Sequence, residues 1–310
     1  MDTSFDPDSY RSGFIAVMGQ TNVGKSSLLN ALVEHTIAAV SPRPQTTRKR
    51  QYGIVSLENA QIILEDTPGL HKPRTKLGDC MNQEALEALD DTDAILFLVD
   101  ASQEPSEEEH ELARSLQAAR QQHGLPVLLV LNKCDLVDEQ TLAERIQAYQ
   151  ALAPGADTLV ISVQEQKNLA ELLEKLVSYL PVHPPYFPDE PLTDLYERDI
   201  AADLIRAAAL LHLRDEIPHG IAIRIDQYTE RGEQGAYIEG TIFVERESQK
   251  GIVIGKGGMM LKQIGSTARQ EIEAMSGRSI FVRLRVKVRQ NWRNDPESLK
   301  LFGFKIPQDK

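Results

Sequence analysis

The sequence predicts an α/β fold, a mostly parallel sheet with helices on both faces, followed by a smaller α+β domain. Three observations predict it. Through about residue 180, short apolar β-rich runs alternate with helical patterns, the signature of parallel strands buried on both sides. Five prolines then crowd the eleven residues 181–191. Beyond them the order changes to α-β-β-α-α-β.

The first strand is Phe14-Ile15-Ala16-Val17-Met18, which runs into a glycine-rich loop and a helix from about Lys25 to Glu34. Further strand-like runs stand at Ile62–Leu64, Ala94–Val99, Val127–Leu131 and Thr158–Ile161, with amphipathic helices at Glu107–Gln121 and Asn168–Leu180 among the connections. A sheet of this kind binds ligands at the carboxyl ends of its strands. Proline fixes φ and lacks an amide hydrogen, so the proline-rich stretch reads as a stiff, extended linker. The expected domains are residues 1–180, a linker at 181–193, and 194–310. In the last, a helix over 194–213, strands near 220–228 and 236–245, a helix near 260–275 and a strand over 279–289 are expected. In that final strand Arg283, Arg285, Lys287 and Arg289 alternate with Leu284, Val286 and Val288, which puts the cations on one face.

The 310 residues are 41% hydrophobic and 26% charged, an ordinary globular composition. No run approaches the roughly 18 apolar residues of a membrane span. The start, Met1 to Ser12, is polar and acidic, unlike a signal peptide. Cys80 and Cys134 read as free thiols of a reducing cytoplasm. The net charge of −12 is unevenly spread. Residues 246–310 hold 14 Lys/Arg against 6 Asp/Glu, a net of +8, so the remainder carries −20. An acidic body with a basic end fits a polyanion-binding end or a merely solvated surface, and charge alone does not choose.

Gly19-Gln20-Thr21-Asn22-Val23-Gly24-Lys25-Ser26 matches G-x-x-x-x-G-K-[ST] between a strand and a helix. Its glycines let backbone amides curl around phosphates, the helix start adds its dipole, and Ser27 continues the turn. Lys25 is the point charge for the β- and γ-phosphates, and Ser26 is a hydroxyl ligand for Mg2+. The loop does not distinguish ATP from GTP, but two later motifs do. Asp66-Thr67-Pro68-Gly69 follows a strand. Asp66 is a Mg2+-side carboxylate, and the Gly69 amide can meet the γ-phosphate. Asn132-Lys133-Cys134-Asp135 ends another strand. Asp135 can accept both guanine N1–H and the exocyclic amine, while adenine leaves it unsatisfied at a cost of a few kcal/mol. Asn132 braces the loop and the Lys133 stem lies over the base.

In Ser41-Pro42-Arg43-Pro44-Gln45-Thr46-Thr47-Arg48, one threonine hydroxyl is expected to complete the Mg2+ site, Thr47 in preference to Thr46. Ser162-Val163 stands where GTPases usually carry Ser-Ala and read guanine O6 with a backbone amide. Leu70 occupies the place of the usual water-orienting Gln, so intrinsic hydrolysis is slow or uses another group. In GTPases with Asn at the Asn22 position that residue can ligate K+; the alternative is that Asn22 only braces its loop.

Val253-Ile254-Gly255-Lys256-Gly257-Gly258 is a G-x-x-G loop before a helix. In KH domains such a loop clamps about four nucleotides of a single strand. Gly255, Lys256, Gly257 and Gly258 are the expected RNA contacts, joined by Arg283, Arg285 and Lys287. Trp292 and Tyr237 could stack on bases, but packing is the plainer reading of both.

With these motifs in place, the chain resembles the Era family of bacterial GTPases along nearly its whole length. Gln45-Thr46-Thr47-Arg48, Asp66 through Leu70, the linker ending Asp189-Glu190-Pro191-Leu192-Thr193-Asp194, and the Val253–Gly258 loop carry the likeness. The resemblance implies a P-loop NTPase G domain followed by a type II KH domain, with GTP or GDP, Mg2+ and K+ as cofactors to test. It implies binding to 16S ribosomal RNA, a role in small (30S) subunit assembly, a cytoplasmic monomer, and for some relatives loose association with the inner membrane. The rival expectations are a GTPase whose second domain serves a protein or membrane partner, and a GTP-dependent RNA-binding module with negligible hydrolysis. Val163 and the acidic run Gln103–Glu109 depart from the family pattern. Neither is expected to touch the central chemistry.

Overall fold

A computed structural model describes residues 9–40, 47–69, 73–187, 193, 197–214, 217–231 and 235–306. They fall into two compact units. The first draws on Met1–His35, Lys49–Lys72 and Met81–Asp194, the second on Thr36–Arg48, Pro73–Cys80 and Leu195–Lys310. The division therefore follows the proline-rich stretch but also assigns two early segments to the second unit.

The first unit is built on strands β1 (Arg11–Met18), β2 (Gln51–Leu57), β3 (Ala60–Asp66), β4 (Ala94–Asp100), β5 (Val127–Asn132) and β6 (Asp157–Val160). They lie in the order β2-β3-β1-β4-β5-β6. Only β2 runs antiparallel, against β3; the other pairings are parallel. The expected strands are all present. β2 is an addition to them, because Gln51, Tyr52 and Ser56 interrupt its apolar run and it enters by a two-residue hairpin at Glu58–Asn59. Helices are α1 (Lys25–Val33), α2 (Lys76–Glu87, of which the part from Met81 belongs to this unit), α3 (Glu107–His123), α4 (Glu139–Leu152) and α5 (Leu169–Tyr179). Residues of α2 and the turn after it, of α3 and of α4 share one core with alternate residues of β1, β4 and β5: Ala85 and Leu89, Leu112 and Leu116, and Tyr149 meet Met18, Phe97, Val99 and Leu129. α1 and α5 pack on β1–β3. β4 is buried on both sides along six of its seven residues, which is why it reads as one unbroken apolar run.

The proline-rich stretch is extended but tied down. Ser12 N–H donates to Pro181 O at 3.2 Å and His183 N–H to Tyr10 O at 3.0 Å. The Gln61 side-chain amide exchanges two 2.9 Å bonds with the backbone of Phe187. Tyr186 packs edge-on to Phe14.

The second unit contains α6 (Glu197–His212), β7 (Ala222–Glu230), β8 (Ala236–Val244), α7 (Glu247–Ile254), α8 (Met259–Ser276), β9 (Ile280–Val288) and α9 (Pro296–Leu301). The expected α-β-β-α-α-β order is present, and α9 extends it. β8 pairs antiparallel with β7 and parallel with β9. The core joins Ile200, Leu204 and Ile205 of α6, Ile264, Ala268 and Ile272 of α8, and Ile238, Ile242, Ile280 and Val286 of the sheet. Ala39 belongs to the same core. Trp292 is fully buried and its indole N–H donates to Gly220 O at 2.8 Å, so it packs rather than offering a ring to a base. Arg48 is buried too. Its guanidinium donates to Ile221 O at 2.7 Å and His219 O at 3.2 Å and lies 5.8 Å from the Trp292 ring. Burial first, then Arg206 and Arg293, depress its pKa well below the usual arginine range.

Candidate functional site

The phosphate loop follows β1 and leads into α1. Gly24, at φ 108°, stands at the N-cap and gives α1 no side-chain cap. The first intrahelical bond runs from Leu28 N–H to Gly24 O. The amides of Lys25, Ser26 and Ser27 are thus left pointing out of the helix start, where an anion is the natural partner. A Cβ on Gly24 would sit 2.4 Å from Asn132 Nδ2, and one on Gly19 2.4 Å from Leu98 O. Both loop glycines are therefore dictated by close approach.

Lys25 is buried, and its ammonium donates to Gly19 O at 2.9 Å and Gln20 O at 2.8 Å. Burial brings its pKa down to about 8, while Asp66 pulls the other way. Ser26 Oγ donates to Asp66 Oδ2 at 2.8 Å, and Gln51 Nε2 reaches the same oxygen at 3.4 Å. A hydroxyl and a carboxylate at that separation form a hard-oxygen donor pair that suits Mg2+, which takes one or two protein ligands and completes its shell with phosphate and water. Thr47 is half-buried and belongs to the second unit. Thr46, Gln45 and Leu70 lie outside the described residues.

After β3, Thr67 Oγ1 donates to Val17 O at 2.8 Å and Gly69 arrives directly over the phosphate loop. A Cβ there would fall 2.8 Å from Thr21 Cγ2 and 2.9 Å from Thr21 N. No residue with a side chain fits this approach.

The guanine motif closes on the same loop. Asn132 Nδ2 donates to Val23 O at 2.9 Å, so one side chain spans the base-side and phosphate-side segments, the bracing expected of it. Lys133, in the left-handed region at φ 64°, donates to Asn22 O at 2.8 Å and pairs with Asp100 Oδ2 at 2.6 Å. Asp135 is exposed and is oriented by Ser162 Oγ, which donates to its Oδ1 at 2.5 Å. Val163 N–H donates to Asn132 Oδ1 at 3.1 Å, so it serves a guanine carbonyl only by sharing that bond.

The acidic run reaches the rim of the phosphate loop, where Gln20 Nε2 donates to Ser106 Oγ at 2.6 Å and to Glu108 Oε2 at 3.3 Å. Ser106 caps α3 in a reciprocal capping box with Glu109. Gln20 hangs from that cap. The capping box is readable as Ser-x-x-Glu, but its link to a residue 86 positions earlier is not. Asp100, which holds Lys133, is a further functional residue that no motif marks, although it ends β4 on the edge where ligands gather.

In the second unit, Gly255, Gly257 and Gly258 stand at φ 72°, 60° and 81°. The loop turns from α7 directly into α8, whose N-cap Gly258 supplies no side-chain cap. A Cβ on Gly255 would lie 2.7 Å from Met260 Cβ, and Lys256 is exposed beside it. Arg283 and Lys287 are exposed. Arg285 is engaged within the sheet, with Asp226 at 3.0 Å and Glu239 at 3.2 Å. Arg289, one residue past β9, pairs with Asp295 at 3.6 Å. Tyr237 is half-buried and stacks with Phe281.

Residues 14–133 match the family of 50S ribosome-binding GTPases, residues 216–293 the KH domain, and residues 90–182 the RsgA GTPase family. The chain is 42% identical over 297 residues to GTPase Era of Heliobacterium modesticaldum, covering 96% of this chain and 98% of that one. It is 44% identical over 296 residues to GTPase Era of Geobacter metallireducens, covering 95% and 98%. Among solved structures, Era in complex with MgGDPNP and nucleotides 1506–1542 of 16S ribosomal RNA superposes with a TM-score of 0.88 at 37% identity, over 95% of this chain and 99% of that one. A point variant of Aquifex aeolicus Era bound to GDP and aluminium fluoride gives 0.87 at 37% identity, over 94% and 99%.

Proposed function

The chain belongs to the Era family of GTPases, and from that premise we propose that it is a GTP-timed switch whose second domain holds single-stranded RNA during assembly of the small ribosomal subunit. The observation that carries the reading is the coexistence of a guanine-specific triphosphate cradle and a G-x-x-G loop opening a helix on one chain.

The chemistry follows from the first unit. The amides at the start of α1 and the Lys25 ammonium take up the negative charge of the β- and γ-phosphates. Ser26 and Asp66 would hold Mg2+, with Thr47 proposed as a third ligand, and the metal, when bound, neutralises charge developing on the phosphates. The Gly69 amide, set against Thr21, is placed to report whether the γ-phosphate is present. Asp135, aimed by Ser162, selects guanine, and Asn132 passes the presence of the base to the phosphate loop. Asn22 is proposed as a K+ ligand, which would supply a positive charge near the transferring phosphate.

In the second unit the Gly255–Gly258 loop clamps the RNA backbone and Lys256 adds charge. The relative solved with 16S ribosomal RNA supports that RNA as the partner. We read the protein as a cytoplasmic monomer. Any membrane association is proposed as peripheral; among the described residues no helix is long and apolar enough to cross a membrane.

The test is phosphate release from GTP with and without RNA from the 3′ end of 16S ribosomal RNA, in K+ and in Na+. RNA and K+ are expected to raise turnover. Lys256→Asp with Gly257→Asp should abolish the RNA effect while leaving GTP affinity unchanged. RNA affinity unaltered in that variant would refute the clamp, and equal rates in K+ and Na+ would refute the potassium site.

A further inference from the structure

β8 and β9 run side by side, with Tyr237 opposite Phe281, Glu239 opposite Arg283 and Thr241 opposite Arg285. Alternate residues of a strand point to opposite faces. Ile238, Ile242, Ile280 and Val286 are buried against α6 and α8. Tyr237, Phe281, Arg283 and Lys287 therefore occupy the other face, the one those helices do not cover. The Gly255–Gly258 loop opens α8 and so belongs to the helical side.

Part of this face is covered, since Phe243 is buried against Phe302, but the end that carries Phe281 is open and unusual in composition. Phe281 is 61% exposed. Its ring stacks with that of Tyr237, centroids 5.6 Å apart and planes only 11° from parallel. Arg231 lies 5.6 Å from the Tyr237 ring centre. The Tyr237 ring is thus covered by Phe281 and by Arg231, and it backs the Phe281 ring, whose other face is left to solvent. Arg283 and Lys287 are exposed along the same strand and, among the described residues, share no ion pair. The acids nearby are already matched, since Arg285 pairs with both Asp226 and Glu239 and Arg224 with Asp226 at 2.6 Å. What remains is an exposed ring with two uncommitted cations in line along the strand, Arg283 two residues on and Lys287 six residues on, opposite Phe243. Sequence-tolerant binders of single strands use that combination, with bases stacking on rings and phosphates meeting cations.

We propose that this sheet face is a second nucleic-acid surface, on which Phe281, backed by Tyr237, stacks a base and Arg283 and Lys287 hold phosphates of a single strand, separate from the stretch clamped by the Gly255–Gly258 loop. The proposal rests on the reading of the second domain as RNA-binding, and it predicts a footprint longer than the loop alone provides.

The test is fluorescence anisotropy on the full chain with two unstructured RNAs of mixed sequence, one of about four nucleotides to fill the loop site and one of about sixteen. The sheet-face variant combines Phe281→Ala, Arg283→Glu and Lys287→Glu. The loop variant combines Lys256→Asp and Gly257→Asp. The sheet-face variant is expected to bind the short RNA like the unaltered protein and the long RNA about tenfold or more weakly, with its log-affinity against log-salt slope reduced by about 1.4 for two lost phosphate contacts. Long RNA carrying 5-iodouracil should crosslink under light to the peptide holding Phe281. The conservative set Phe281→Tyr, Arg283→Lys and Lys287→Arg should restore long-RNA affinity, which a folding defect would not predict. Unchanged affinity and salt slope for the long RNA in the sheet-face variant would overturn the proposal. Retained short-RNA binding in the loop variant would instead overturn the reading of the glycine loop, so the two failures are distinguishable.

Discussion

Lys25 shows how a single residue links structure to measurable behaviour. Its ammonium is buried against two carbonyls of its own loop, and burial brings its pKa to about 8 from 10.5. Between those values the unfolded chain holds a proton that the folded, nucleotide-free chain releases, so the burial penalty is relieved and stability rises with pH across that window. Nucleotide binding behaves oppositely. Phosphates favour the charged ammonium, so affinity for GTP should be level up to about pH 8 and then fall by up to about tenfold per pH unit. Titration with a fluorescent guanine nucleotide from about pH 7 to 9.5 checks this, and a flat profile would show that Lys25 stays charged. The residue types of the phosphate loop and guanine motif are legible in the sequence because each is a contiguous run after a strand. Side-chain partners distant in sequence are not. Nothing in the alternation of Arg283, Arg285 and Lys287 reveals that Asp226 and Glu239 occupy Arg285 alone.

At the scale of elements, strands deliver the motifs to one edge of a sheet, and close approach makes them act together. Gly69 lies so near Thr21 that Gly69→Ala must push the two segments apart by some tenths of an ångström or more. The segment after β3 would then lose its register with the γ-phosphate while the phosphate loop still holds a diphosphate. GTP hydrolysis is expected to drop by about a hundredfold, with GDP affinity within a few-fold of the unaltered protein. Paired phosphate-release and GDP-titration measurements check this; hydrolysis at the normal rate would show that the approach is incidental. The first-unit parallel strands are readable from their unbroken apolar runs. β2 is not, since its polar residues hide an edge strand that only the hairpin at Glu58–Asn59 explains. The cap of α3 is readable as a cap, but not as the anchor of Gln20, because that role depends on where the sheet places the helix start.

The whole chain is less divisible than its sequence suggests. Composition and the prolines mark a change of character near residue 181, yet the second unit includes residues 36–48 and 73–80. Ala39 lies in its core and Arg48 fills a site formed by His219, Ile221 and Trp292. A fragment starting at Leu195 would leave that site without its guanidinium and that core without a methyl group. Its melting temperature should fall at least about 5 °C below the corresponding transition of the full chain, as scanning calorimetry would show. Equal melting would mean that the borrowed residues contribute nothing. Arg48 also imposes an order on synthesis. It is made 173 residues before the carbonyl of Ile221 that receives it, and the Trp292 ring follows later still. A growing chain emerges N-terminus first, and its early domain folds as a unit during translation. For most of that time the Arg48 guanidinium has no seat, so a side chain from the first third of the chain settles only after the last third is made.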